Sequence, residues 1–387
     1  MKKAFVILIF ALMAVFAFSL SAGAVEKSDV VSENSSESFD LISDTDKKNL
    51  FDSLSDDAKK TLGELGISDI DPDVLSKISF DKLLSMIVST TAQQSAVPLK
   101  SLGCVMAVIL LSSLMCGFKS TLNSGKMQTI IDAVTVLCIV SALVIPVNGT
   151  ILSAVDVIVT ASDFMLAYIP IMLVIMLSSG QAAGGSAYYS MMIMAGQGVA
   201  QTASKVISPL LNCFLGISIA GAVSPNVNLS GLSAFIGKII KWLLGFVMSL
   251  FTAVLSFKQI LTSSIDNVST RAVRFTLTSL VPVVGSALSD AYKTIQSSVG
   301  LLKSGLGVFV IISVLTVFMP VLVQCFVWIV TMGISKAAAE IMGLSRAGKI
   351  IEAVSSVVTT LLAIILCIAA VYVISTALVL IMGGAKG

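Results

Sequence analysis

RAVRFTLTSLVPVVGSALSDAYKTIQSSVGLLKSGLG, residues 271–307, breaks the rule that the rest of the chain obeys. On both sides the sequence is long and apolar. This stretch instead mixes apolar runs with Arg271, Arg274, Asp290, Lys293 and Lys303, and interrupts itself at Pro282 and Gly285. Non-helical backbone is tolerated at membrane depth only where protein or a water-filled cavity satisfies its polar groups, so interrupted apolar helices tend to mark pathways. The expectation is a broken or re-entrant, membrane-embedded element over residues 258–304. Its candidate pathway or packing residues are Arg271, Arg274, Pro282, Gly285, Asp290 and Lys303.

Composition supports the membrane setting that this reading needs. The 387 residues are 56% hydrophobic and only 12% charged, against about 25% charged in an ordinary soluble domain. The net charge of +2 conceals an asymmetry: residues 25–98 hold 15 acidic and 7 basic side chains, and residues 99–387 hold 7 acidic and 15 basic. Two compartments are being served. The chain has no histidine, which excludes His-ligated metals, Ser-His-Asp triads and histidine general bases. Cys104, Cys116, Cys138, Cys213, Cys325 and Cys367 lie in apolar runs without C-x-x-C spacing, and read as small core residues. No metal or cofactor site is expected.

Upstream, Lys2 and Lys3 precede an apolar run over residues 4–20 and then Ala22-Gly23-Ala24. This is the pattern of a cleaved secretory signal peptide over residues 1–24, which sends the following segment to the outer face. Residues 25–45 are Ser- and Asp-rich, with little that could form a core, and read as a flexible acidic tether. Over residues 46–98, Leu50, Leu54, Ala58, Leu62 and Leu65, then Val74, Leu75, Ile78, Leu83, Leu84 and Ile87, recur at helical spacing. Short amphipathic extracytoplasmic helices are expected there, folded on each other or lying on the membrane. The functional alternative is a docking surface for another extracytoplasmic protein.

Residues 99–118, 127–147, 151–177, 187–223, 235–257, 305–332 and 353–382 are each long and apolar enough to cross the bilayer. With about 20 residues needed per crossing, the fold class is an all-α, polytopic membrane protein of about 6–8 spans. They divide into transmembrane helices over residues 99–257 and C-terminal transmembrane helices over residues 305–387. Pro209 near the middle of the fourth predicts a kink or two shorter helices. Lys119 and Lys126, and likewise Lys336, Arg346 and Lys349, prefer the cytoplasm under the positive-inside rule.

Two polar constellations interrupt the apolar helices. Ser153, Asp156, Thr160 and Asp163 share one helical face. A carboxylate at mid-membrane costs at least about 2.5 kcal/mol, so this face is not expected to meet lipid. Either Asp156 and Asp163 form a proton or ion relay, or Asp156 sits near the outer interface and Asp163 pairs with a lysine such as Lys205 or Lys241. Lys238, Lys241, Gly245, Ser249, Thr252 and Ser256 form a second stripe, which reads as close helix contact or as pore lining. Gly343-Leu-Ser-Arg-Ala-Gly348-Lys349 matches G-x-x-x-x-G-K, but Ile350 replaces the hydroxyl that would hold magnesium and no strand precedes it. Nucleotide energy would have to come from another protein. Intramembrane proteolysis finds no H-E-x-x-H and no G-x-G-D, and the chain is not expected to be an enzyme.

The block Phe275-Thr-Leu-Thr-Ser-Leu-Val-Pro-Val-Val-Gly285, continuing through Leu288-Ser-Asp290 and Leu301-Leu-Lys303, resembles the stage III sporulation protein AE family. The resemblance implies residence in the mother-cell membrane that surrounds the engulfed forespore, within a multi-protein channel or export complex. It implies as partners the membrane and intermembrane-space proteins of that complex, a separate cytoplasmic ATPase among them, and no nucleic acid. The family is associated with forespore development and late forespore sigma-factor activity, and the resemblance carries over no catalytic residue. The leading expectation is a permease-like subunit. The alternatives are an ion-coupled secondary transporter working alone, and a structural anchor.

Overall fold

The computed structural model describes residues 44–67, 80–118, 125–223, 231–242 and 285–382, with positions 245, 246, 249 and 253. The signal peptide, nearly all of the tether, Arg271, Arg274 and Pro282 lie outside the described residues. Every regular element among the described residues is helical. These are α1 (Asp44–Asp52), α2 (Asp56–Glu64), α3 (Phe80–Gln94), α4 (Ala96–Phe118), α5 (Gly125–Ser178), α6 (Ala182–Thr202), α7 (Ser208–Val223), α8 (231–242), α9 (Gly285–Ile341) and α10 (Ser345–Met382). Five described helical segments are long and apolar enough to cross a membrane: Ala96–Gly117, Ala133–Ser178, Ala182–Gly221, Gly305–Ile341 and Ser345–Ala377.

Two expected boundaries disappear. The spans expected over 127–147 and 151–177 are one helix of 54 residues, running unbroken through Pro146, Asn148, Gly149 and Thr150. Tertiary contact overrides the local break signal: Thr150 Oγ1 donates to the carbonyl of Pro146 at 3.1 Å. The same hydroxyl accepts from Trp328 Nε1 of α9 at 3.0 Å. The expected border at residue 304 is likewise absent. α9 is continuous over 57 residues from Gly285 to Ile341, so the described part of the element expected to be broken is the first third of one helix. Asp290 and Lys303 share that helix, whose apolar run after 304 carries it onward.

At Pro209 the expected kink takes the form of a π-helical segment, Ala203–Ile207, joining α6 to α7. The wider turn accommodates a proline that cannot donate to the ladder. Sharp reversals fall at Gly180 and Gly343, with φ of 78° and 73°, a left-handed region that glycine enters without penalty. After Gly343 the Leu344 amide reaches back to the Ala339 carbonyl at 2.9 Å. The sequence 343–349 is therefore a helix–turn–helix corner, not a phosphate loop.

Contacts fix the register of the bundle. Ser112 meets Thr135 at 2.6 Å, which sets α4 antiparallel to α5. Trp328 meets Thr150 and Lys303 meets Gln181, which sets α9 antiparallel to the second half of α5. Lys336 meets Glu352 and Gly307 meets Leu380, so α10 retraces α9. The core is filled by Trp328, Tyr168, Tyr372, Phe164, Phe309 and Phe318, all fully buried.

At 54 and 57 residues, α5 and α9 would extend about 81 and 86 Å if straight, far beyond a hydrocarbon core of about 30 Å. The exposed large apolar side chains show which part matches lipid. Most lie on α4 (Val97 to Met115), the first half of α5 (Ile130 to Leu152), the second half of α9 (Phe326 to Ile341) and α8 (Phe235, Ile239, Trp242), with a smaller set, Val174, Leu177, Met194 and Val206, on the end of α5 and on α6 and the π-helical segment. Residues 97–115 of α4 rise about 27 Å, the height of a bilayer core. This belt occupies one storey of the bundle. At its edge lie the start of α4, mid-α5 and mid-α9, and beyond them a second storey holds the rest of α5 and α9 with α6 and the end of α10.

The N-terminal helices pack on that second storey. Leu50, Leu54, Ala58, Leu62 and Leu65 are at most 3% exposed and belong to the same apolar core as α5 and α9. Phe51 meets Phe309 with ring centroids 5.2 Å apart. The stripe was expected to close on itself, lie on lipid or dock another protein; it is covered by this chain's own long helices. Among the described side chains of α3, Met86 and Thr90 are buried, whereas Ile87 of the expected stripe is exposed.

Candidate functional site

Where α2, the end of α3, mid-α5 and mid-α9 converge, the chain leaves an open polar cleft of about 230 Å³. α5 contributes Ser153, Asp156, Val157 and Thr160, which repeat at three and four residues and therefore share a face. Thr316, Val317, Pro320, Val321 and Gln324 come from α9, and Ser55, Asp57 and Ala58 from α2 and its cap. Gln94, at the end of α3, closes the rim.

Each element presents these groups for a local reason. Ser55 is the N-cap of α2, with its Oγ accepting from the Ala58 amide at 3.3 Å, which fixes the first turn carrying Asp57 beside the cavity. Pro320 has no N–H to give to the carbonyl of Thr316, four residues earlier. Both residues line the cavity, so the gap in the ladder faces it. Asp57 and Asp156 are exposed, and no lysine or arginine lines the space. Lys59, two residues after Asp57, is held instead by Asp56 at 3.7 Å and the Asp52 carbonyl at 3.2 Å.

Of the residues singled out in the sequence, the structure brings Ser153, Asp156 and Thr160 to this cavity. Asp163 continues the same face outside it, exposed, close enough to Tyr372 to act on it electrostatically. Neither carboxylate forms an ion pair among the described residues, and the expected partners Lys205 and Lys241 are both exposed. Lys238 and Lys241 lie on the outer side of α8, which packs through Gly237 on the Phe214 ring; they do not reach the cavity. Lys303 is 2% exposed and donates to Gln181 Oε1 at 3.0 Å, pinning α9 to the α5–α6 turn. It is a packing residue in this arrangement. Gly285 begins α9.

Deeper in the second storey, Ser162 and Tyr372 share a 2.6 Å hydrogen bond, and Ser375 donates to Met192 Sδ. The Tyr168 and Tyr188 hydroxyls are buried beside one another, with Ser375 near Tyr188, but without a hydrogen bond of full geometry, and the Ser313 hydroxyl is buried without a partner among the described residues. The sequence reading missed Asp57, Thr316, Pro320 and Gln324. A signal was present: Thr316, Pro320 and Gln324 repeat at four-residue spacing on one face of an apolar helix.

A bundle of long apolar helices with a bilayer-high belt and a polar cavity at its edge defines a polytopic α-helical membrane protein. The chain matches the profile of stage III sporulation protein AE over residues 73–383, most of its length, and belongs to that family. It is 22% identical over 210 residues to stage III sporulation protein AE of Bacillus subtilis (strain 168), an alignment covering 53% of this chain and 53% of that relative. No solved structure matches the chain.

Proposed function

We propose that this chain is the permease-like membrane subunit of a sporulation channel or export complex that links mother cell and forespore and supports forespore development and late forespore sigma-factor activity. Its belt lies in the mother-cell membrane. The corner at Gly343, with Arg346 and Lys349, faces the cytoplasm by the positive-inside rule, and the N-terminal helices face the intermembrane space. A cytoplasmic ATPase and ring-forming proteins of that space are the partners this placement calls for.

The observation that carries the reading is where the polar groups lie. Within the described bundle the interior is filled by large apolar side chains, whereas Ser153, Asp156 and Asp163 are exposed on one face of α5. A path through such a subunit runs along that face and is completed by neighbouring subunits. The absence of an ion pair at Asp156 and Asp163 among the described residues favours one second reading, an ion-coupled transporter working alone.

The test is single-cysteine scanning across residues 271–307 and at Asp163, in a background lacking the six native cysteines. A membrane-impermeant thiol reagent is applied to sporulating cells, beside a late forespore sigma-factor reporter. The subunit reading expects labelling with helical periodicity and loss of reporter activity when the partner proteins are deleted. Labelling only at the ends of the scan, with a normal reporter in Asp163→Asn, would reduce the chain to an anchor.

A further inference from the structure

We propose that a second copy of this chain, in the same membrane, covers the exposed face of the second half of α5 by laying its own α6 along it. Asp156, Asp163, Pro170, Val174 and Leu177 are all exposed, and their spacing sets them on one face of α5. α6 leaves a comparable face open. Ser186, Ser190, Met194, Gln197 and Gln201 are exposed at intervals of three and four residues, and Lys205 and Val206 follow in the π-helical segment. Both faces run from the edge of the lipid-matched belt into the storey beyond it. Four large apolar side chains stand bare there, Val174, Leu177, Met194 and Val206, and such a patch outside lipid marks a contact surface.

Register decides what fits that surface. α6 folds back on α5 at Gly180, and the close approach of Gly185 to Leu173 and Met176, and of Gly196 to Leu166 and Ser162, fixes their antiparallel heights. Continued residue for residue, this pairing brings Gln197 level with Asp163, Ser186 level with Val174, and Lys205 to within about a turn of Asp156. Two copies inserted the same way into one bilayer are related by rotation about its normal. Groups that are level within one chain are therefore level between neighbouring chains.

At each level the two faces complement one another. The α5 carboxylates meet donors on α6, Asp163 opposite Gln197 and Asp156 opposite Lys205. Lys205 and both carboxylates form no ion pair within the chain among the described residues, although they stand near one level. That pairing is left for a neighbour. Farther from the belt, α5 is large where α6 is small, with Val174 opposite Ser186 and Leu177 opposite Ala182; where α6 carries Met194, α5 has Ala167. Large against small lets two helices close to an axial distance of about 8–10 Å. α5 against α5 would instead set carboxylate on carboxylate, a like-charge contact that selects against that pairing. This inference rests on the subunit reading, and names the neighbour that completes the polar face of α5 as a second copy of this chain.

The experiment expresses the full chain alone in the membrane of a non-sporulating bacterium, as two differently tagged copies, each with one cysteine in a background lacking the six native ones. Copper phenanthroline oxidises the membranes, and the mixed dimer is read on non-reducing gels. The level pairs are Asp163→Cys with Gln197→Cys and Val174→Cys with Ser186→Cys. They should cross-link at least tenfold more than the crossed pairs, Asp163→Cys with Ser186→Cys and Val174→Cys with Gln197→Cys, whose levels differ by 11 residues, about 16 Å. All four positions are exposed, so these substitutions spare the core. Lys205→Glu should lower the Asp163–Gln197 yield at least threefold, and adding Asp156→Lys to the same chain should restore it. Level and crossed pairs that cross-link alike, or no cross-link at any position, would overturn the proposal. So would cysteines silent both to oxidation and to a membrane-impermeant thiol reagent, a face covered by lipid, or a cross-link in sporulating cells to a protein of another mass in place of the second copy. The chain is tested alone and without a sporulation readout, so failure here leaves the subunit reading to its own reporter.

Discussion

Tyr188 and Tyr372 are both buried in the second storey, yet their hydroxyls stand on opposite sides of an energetic divide. Tyr372 shares a 2.6 Å hydrogen bond with Ser162, whereas Tyr188, like Tyr168, has no partner of full geometry among the described residues. A buried hydroxyl without a partner forfeits about 1–3 kcal/mol of desolvation, and a satisfied one contributes about 1 kcal/mol net. Tyr188→Phe should therefore leave stability unchanged or raise it by up to about 1 kcal/mol, while Tyr372→Phe should lower it by about 1 kcal/mol. Denaturant unfolding of the purified chain in detergent measures both. If Tyr188→Phe proves as damaging as Tyr372→Phe, an ordered water bridges the tyrosines and the hydroxyl is satisfied after all.

At the scale of elements, two glycines ten residues apart on α9 and its corner make opposite demands. Gly343 holds φ at 73° with open space where a Cβ would stand, so Gly343→Ala meets a purely conformational penalty, expected at about 1 kcal/mol. Gly333 is mid-helix, also with nothing near a Cβ, and Gly333→Ala should stabilise by about 0.5–1 kcal/mol. Unfolding temperatures that move in the same direction for both would refute the corner's assigned geometry. This contrast also shows what local sequence conveys. The helical character, the Pro209 irregularity and the shared face of Ser153, Asp156 and Thr160 follow from spacing alone. The continuity of α5 does not, because Asn148-Gly149-Thr150 reads as a break until Trp328, far along the chain, bonds Thr150. The cavity was half legible for the same reason: its α5 wall is a periodic pattern, but Asp57 joins it only through the docking of α2, a tertiary fact.

At 54 and 57 residues α5 and α9 are far longer than the roughly 20 residues that one crossing needs, and that decides which polar groups can meet water. On a span of ordinary length the Asp163 carboxylate would need shelter from lipid. In the assembled bundle most exposed large apolar side chains instead lie on α4, the first half of α5, α8 and the second half of α9, with a smaller set on the end of α5 and on α6. Asp156 marks the edge of that belt and Asp163 lies two turns beyond it, on the storey where the N-terminal helices dock. Lipid should therefore stop short of Asp163, and the carboxylate avoids a mid-membrane cost of about 2.5 kcal/mol or more. Single cysteines test the placement in a background lacking the six native ones. In membrane vesicles opened to both sides, Leu114→Cys and Leu137→Cys should resist a membrane-impermeant thiol reagent, while Asp163→Cys should react at least tenfold faster. Reaction at comparable rates would show that water reaches the belt, and the bilayer would then have to be sought around the other storey.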